Sequence, residues 1–192
     1  MTIRPPCTVV VAALGPSIDL FVPHRDRADL VVGVNDVDRH LAPDHLICVH
    51  EPASFKGNRA GFIAGTRARH AWLTKPNAWE MRVVKHAITY QSTRPGSPAK
   101  VDTPVLCTAH TTVVPAVHLA YRLGATRIGI AGCDLHGHPV LSRPKIVDGI
   151  DWALGSLRIA LAERGVELVH LSPRSMVRSL QHRPVQEWLD AA

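Results

Sequence analysis

The chain has 192 residues, 46% of them hydrophobic, and a formal net charge of +6. That is enough sequence for one domain with a substantial core, and no apolar run approaches the ~20 residues of a membrane span. Cys7, Cys48, Cys107 and Cys133 form no CxxC pair, which disfavours a disulfide framework or a zinc site and suits reduced, buried thiols in a cytoplasm.

The first elements read as a parallel sheet. Cys7–Ala13 is an almost continuous apolar run, the mark of a strand buried on both faces. Arg4 precedes it, but the run leads into Gly15-Pro16 as a first strand would, with no convincing cleavage pattern. Ser17 is a candidate cap for a short helix. Ala28–Val34 is a second strand closed by Asn35-Asp36, and His45–Val49 a third closed by His50-Glu51-Pro52. Three strands joined by short connections point to a Rossmann-like sheet. GxGxxG and GxxxxGK[ST] are both absent, which disfavours a dinucleotide cofactor and an ordinary phosphate-loop kinase.

Residues 53–103 are expected as an insertion or lid. Ser54–Thr66 has helical character interrupted by Gly57, Gly61 and Gly65, Met81–Ala87 is a candidate strand, and Arg94–Pro98 is a loop. From Phe55 to Lys100 nine basic residues face the single acid Glu80, a balance of +8 that leaves about −2 for the rest of the chain. Phe55, Phe62, Trp72, Trp79 and Tyr90 are interleaved with them. Such a pattern can grip a phosphate backbone and stack on bases, or it can be a solvated surface whose aromatics point into the core. On the first reading Arg67, Arg69, Trp72 and Trp79 bind the acceptor, and DNA is a candidate partner.

Thr103–His138 then reads as strand, loop, helix, strand, loop. Val105–Cys107 is a short strand, and Thr111 or Thr112 caps a helix that buries Val113, Val117, Ala120 and Tyr121 and ends at Gly124. Arg127–Ala131 is a buried strand that leads into Gly132-Cys133-Asp134. Because ligands of open α/β sheets bind beyond the carboxyl ends of strands, the loops His110–Thr112 and Asp134–His138 belong beside a ligand. Asp148 is a candidate cap for a helix carrying Ile150, Ala153, Leu154, Leu157 and Leu161 on one face, Val166–Leu171 is a further strand, and Ser172-Pro173 opens a last helical region in which Trp188 packs back on the body. The alternation implies parallel pairing. The expected fold is thus α/β, a single Rossmann-like domain over residues 1–192, with a mostly parallel sheet, helices on both faces and a basic insertion.

Four stretches together resemble a known family. Ala12-Ala13-Leu14-Gly15-Pro16-Ser17, Val32-Gly33-Val34-Asn35-Asp36, Thr111-Thr112 with the following helix and Gly132-Cys133-Asp134, and Leu157–Leu171 are similar, in order, to the Rossmann-like domain shared by small bacterial sialyltransferases, flagellin motility accessory factors and related phage proteins. The resemblance covers most of the chain outside residues 53–103. It implies a nucleotide-sugar transferase without an Asp-x-Asp metal motif, in which a divalent metal is not required and no cofactor is held. By position Gly15, Ser17 and Asn35 hold the nucleotide, with Thr112 near its phosphates or ribose and His136 where the family has a tyrosine that binds the leaving phosphates; Asp36, Thr111 and His138 are further candidates for binding the nucleotide. Leu14 stands where the family has asparagine, and Asp148 where it has its proposed histidine base.

The chemistry is coherent on the residues alone. Glycosyl transfer needs a base for the acceptor proton and donors or cations for the leaving phosphate. Asp148 or Asp134 can serve as the base, and His136 and His138 as the phosphate donors. Against this, Asp148 can be a plain helix cap, and Asp134 a carboxylate that ties down loop amides. His118, in mid-helix, is expected to be packed. His50, His110, His136 and His138 complete no metal-ligand set of established spacing, so no metal site is assigned. The acceptor expected first is a hydroxymethylated base in DNA, and otherwise a saccharide. The rivals are an ATP-dependent pyrophosphokinase of a pterin alcohol and a non-enzymatic nucleotide- or DNA-binding module.

Overall fold

A computed structural model describes residues 7–109, 111–136 and 141–191. Seven strands form one sheet, all parallel: β1 (Thr8–Ala12), β2 (Leu30–Val34), β3 (His45–Cys48), β4 (His70–Leu73), β5 (Val84–Ala87), β8 (Arg127–Ala131) and β9 (Glu167–His170), in the order β5-β4-β3-β2-β1-β8-β9. A separate parallel pair joins β6 (Tyr90–Ser92) to β7 (Leu106–Thr108). The mostly parallel sheet read from the sequence is present. The apolar strands β2 and β1 lie at the centre and next to it, where both faces are covered.

Helices flank both faces. On one side Val9, Val11, Val32, Ile128 and Ile130 pack against α2 (Val113–Arg122) and α3 (Pro144–Ala162). On the other, Val10, Ala12, Val31 and Leu46 meet the short 3₁₀ turns Pro16–Leu20 and Val22–Arg27, α1 (Arg59–Ala64) and α4 (Val185–Asp190). Pro16 and Pro23 sit at the starts of those turns, where a missing N–H does least harm. Trp188 packs back as expected: its ring lies over β8, so a Cβ on Gly129 would meet it at 2.8 Å.

Three sequence readings need correction. The segment expected as an insertion supplies two sheet strands, β4 and β5. These strands, the edge strand β5 and its neighbour β4, expose or alternate their side chains and so lack the continuous apolar run that marks a central strand. α3 begins at Pro144 with Arg143 at its N-cap, which puts Asp148 inside the helix rather than at its cap. The region after Ser172 is irregular until α4: the side chains of Ser175 and Asp151 take the amides of Val177, Arg178 and Ser179, and Ser172 and Ser175 also tie the segment to the Gly132 amide and the Cys133 carbonyl.

The chain steps outward from β1 to β5 and then returns to lay β8 on the other side of β1. The strand order therefore reverses between β1 and β8. Such a switch point opens a crevice at the carboxyl ends of the two strands.

Candidate functional site

A cavity of about 340 Å³ occupies that crevice. Its walls are the loops after β1 (Ala13–Pro16), β2 (Val34, Asn35) and β8 (Gly132, Cys133, Leu135, His136), the start of α2 (Thr111–Val113), Arg59 and Leu141.

Backbone bonds lace the β1 and β8 loops together. The Ala13 amide donates to the Ala131 carbonyl at 2.8 Å, and the Gly15 amide to the Gly132 carbonyl at 2.7 Å. Asp134 accepts the Ser17 amide at 2.9 Å, and the Ser17 hydroxyl donates to Ser172 Oγ at 2.6 Å. Ser172 Oγ also accepts the Gly132 amide at 3.1 Å. The approach is so close that a Cβ on Gly15 would stand 2.6 Å from the Gly132 carbonyl and run into the Asp134 carboxylate. Glycine is needed here for space, since φ is an ordinary −71°. Gly15→Ala should cost about 1–3 kcal/mol, the usual range for an overpacked site. Urea melts would show it, and an unchanged midpoint would mean that the two loops are free to part.

On the β2 side Asn35 is left-handed, with φ +52°, a conformation that asparagine tolerates better than most residues. This turns its side chain toward α2, where Oδ1 accepts the Thr112 hydroxyl at 3.4 Å. Thr112 occupies the N-cap of α2 but makes no side-chain capping bond. Thr111 Oγ1 instead takes the Val113 amide at 3.3 Å. Of the two expected caps, Thr111 therefore meets a helix amide, and Thr112 is turned to the cavity wall.

Asp36 is placed differently from its expected role. It is fully buried and does not line the cavity. Its carboxylate accepts three bonds from Arg59, at 2.6 to 3.1 Å, and pairs with Arg39 at 3.3 Å. Sequence reading passed over Arg59, which counted only as one basic residue among nine. Asp36 immediately after a strand-ending asparagine was the available signal, because a carboxylate buried at that point needs a cation.

On the β8 side Gly132 and Leu135 are left-handed, with φ +71° and +60°, and the turn brings His136 to the cavity. Asp134 is 3% exposed, and its carboxylate faces the β1 loop rather than the cavity. This geometry supports the brace over the base. Burial pushes the Cys133 thiol up to about 12, so at neutral pH it is an uncharged wall. His110 and His138 lie outside the described residues.

Asp148 opens on a neighbouring cleft of about 810 Å³, together with Tyr90, Arg94, Lys145 and Trp152. The two hollows have no lining residue in common; Ala109 lines this cleft, and Thr111, which pairs with it in an isolated bridge, lines the first cavity. Asp148 is exposed and, among the described residues, its side chain has no hydrogen-bond or ion-pair partner.

The four residues expected to bind an acceptor are not brought together. Trp79 is 2% exposed, in the core below one face of the sheet, while Trp72 packs on the opposite face and stacks on His86 with ring centroids 4.2 Å apart. One nucleic acid strand cannot stack on both. Arg67 is bound to Asp38 through its side chain and backbone amide, and Arg69 is exposed. The +8 segment is also less basic in space than in sequence, because Arg59, Arg67 and Lys75 pair with Asp36, Asp38 and Glu51 from outside it. Among the described residues no group of three histidine, cysteine or acidic side chains is arranged to hold a metal ion, and no helix is long and apolar enough to cross a membrane.

A sialyltransferase is among the solved structures the chain is similar to. It is CstII from Campylobacter jejuni in complex with the substrate analogue CMP-3FNeuAc, with 10% sequence identity and a TM-score of 0.49, over 93% of this chain and 86% of that one. No family model matches the sequence, and no curated protein sequence matches it.

The cavity therefore combines backbone loops drawn tightly together, the hydrogen-bonding side chains of Asn35, Thr112 and His136, and one guanidinium. Convergent polar groups on a largely apolar wall are what a small-molecule site requires.

Proposed function

We propose that the chain is a nucleotide-sugar-dependent glycosyltransferase. The observation that carries the reading is the cavity at the β1/β8 switch point, which gathers Gly15, Asn35, Thr112 and His136, residues that the sequence resemblance assigns to a nucleotide, together with Thr111. Ser17 lies just behind that wall and ties the loop to Asp134 and Ser172.

In this reading the nucleotide occupies the cavity with its sugar directed to the Asp148 cleft. The acceptor hydroxyl enters from that cleft. The new bond joins the acceptor oxygen to the anomeric carbon, the bond from that carbon to the phosphate oxygen breaks, and Asp148 takes the hydroxyl proton. The phosphate leaves with the bonding pair, and His136 donates a hydrogen bond to it. Tyr90 and Trp152 in the cleft suit a saccharide, because a pyranose ring packs its apolar face on an aromatic plane. A hydroxymethylated base in DNA is the other acceptor, now without the paired tryptophan platform that suggested it.

The test is a transfer assay. UDP-, CMP- and GDP-sugars are offered with pooled saccharides in one arm, and with duplexes carrying hydroxymethylated pyrimidines in the other, both read by mass spectrometry. Sugar-sized mass additions to a saccharide are expected. Additions to the duplex would establish the DNA acceptor. Conversion of ATP with transfer of pyrophosphate to an alcohol would replace this reading by the pyrophosphokinase.

A further inference from the structure

Arg59 is the one arginine or lysine that lines the cavity among the described residues. It projects from the start of α1, on the side of the cavity next to β2, and three neighbours fix it. Asp36 holds Nε and Nη2. The Phe55 ring lies 5.2 Å from Cζ, at the distance of a cation–π contact. Arg39 shares the Asp36 carboxylate from another side. Nη1 has no intramolecular hydrogen bond among the described residues. The side chain is 41% exposed, whereas that of Asp36 is 0% exposed.

This is a cation held in a set orientation. Two guanidiniums share one carboxylate, so the cluster keeps one positive charge in excess, and the carboxylate lies behind the face that meets the cavity. A bidentate pair to a carboxylate fixes the plane of a guanidinium and still leaves its remaining N–H groups free for a second anion. Pre-orientation also means that little side-chain freedom is lost when the anion arrives.

We infer that Arg59 binds the phosphate of the nucleotide that enters this cavity, and that Asp36 is its positioning residue. The inference rests on the nucleotide reading above. It adds a phosphate-binding group that comes from the β3–β4 connection, outside every stretch that carries the family resemblance.

The experiment compares each nucleoside with its phosphorylated form by titration calorimetry on the full chain: cytidine with CMP, uridine with UDP, guanosine with GDP, and adenosine with ATP. The wild-type chain should bind the phosphorylated member of its preferred pair more tightly. Arg59→Met keeps the stem against Phe55 and leaves Asp36 paired with Arg39. It should weaken nucleotide binding by about ten- to a hundredfold, the worth of a charged hydrogen bond, and leave nucleoside binding unchanged. Arg59→Lys keeps the charge without the fork and should fall between the two; it decides the matter if the methionine variant does not fold. Asp36→Asn should narrow the gap between nucleotide and nucleoside, a readout that a merely structural role would move for both ligands alike. Equal losses for the two ligands, or no loss from Arg59→Met, would overturn the role of Arg59 and leave the nucleotide site standing. A folded wild-type chain that binds none of the eight compounds would overturn the nucleotide reading, and this inference with it.

Discussion

Asp148→Asn should reduce sugar transfer about a hundredfold or more, the span of a positioned general base, while the melting temperature and nucleotide affinity stay unchanged. Asp148 has no capping duty. It lies in the second turn of α3, past the N-cap at Arg143, so no helix amide needs its carboxylate. Among the described residues it has no side-chain partner, and it is exposed on the cleft that also holds Tyr90 and Trp152. Asparagine is close in size and keeps an acceptor oxygen, but it cannot take a proton at neutral pH. Turnover and stability are thereby separated. Single-turnover transfer measures the first and thermal melts the second. A variant with normal turnover would remove Asp148 from the chemistry and send the search for the base to other residues of the cleft. A variant that melts early would show a structural role that the contacts do not.

Much of the fold was legible because its decisive signals are local. Thr8–Ala12 and Arg127–Ala131 are buried on both faces, so their composition alone marks them as inner parallel strands. The glycines and Asn35 that close the strands could likewise be read as rim loops. The edge of the sheet could be read only in part: Met81–Ala87 was a candidate strand without a place in the sheet, and His70–Leu73 was passed over. Each pair of neighbours along His70–Leu73 divides between a covered and a partly open face, and Val84–Ala87 is mostly exposed, so neither shows the apolar run that betrays a central strand. The site was legible only to the same depth. Asn35 and Thr112 were found because they follow recognisable strand and helix boundaries. Arg59 was not, because its importance comes from Asp36, 23 residues earlier, and no periodicity connects them. The supposed acceptor surface failed for the matching reason: Trp72 and Trp79 are close in sequence but lie on opposite faces of a sheet, and Arg59, Arg67 and Lys75 find their acids outside the segment.

His118→Leu should cost about 2–5 kcal/mol at pH 8, the penalty for stranding one buried donor and one buried acceptor, and should flatten the pH dependence of stability in mild acid. His118 is 0% exposed in the middle of α2. Its Nδ1 accepts the Cys107 amide at 2.9 Å, and its Nε2 donates to the Val101 carbonyl at 2.8 Å. Those two bonds require the neutral ring with its proton on Nε2, because a second proton on Nδ1 would face an N–H. Burial lowers the His118 pKa, and the nearby Arg122 lowers it further, against opposing contributions from the Val101 carbonyl and Asp102. Below the unfolded value of ~6.5 the unfolded chain binds a proton that the folded chain refuses, so stability is complete above that pH and is lost as the pH falls through it. His45, His86 and His170 are also lowered, chiefly by burial, and add to the slope in the same direction. Urea melts from pH 8 to pH 5 should therefore show falling stability in the wild-type chain. The loss attributable to His118 approaches ~1.4 kcal/mol per pH unit where only the unfolded ring is protonated. An identical slope in the leucine variant would mean that His118 does not titrate on unfolding. The link to function is spatial, because the Cys107 amide belongs to β7, and that strand runs on into Thr108 and Ala109, one wall of the Asp148 cleft. Acid that protonates His118 should thus loosen the cleft before the seven-stranded sheet gives way, and transfer activity should fall at a higher pH than the far-ultraviolet dichroism does.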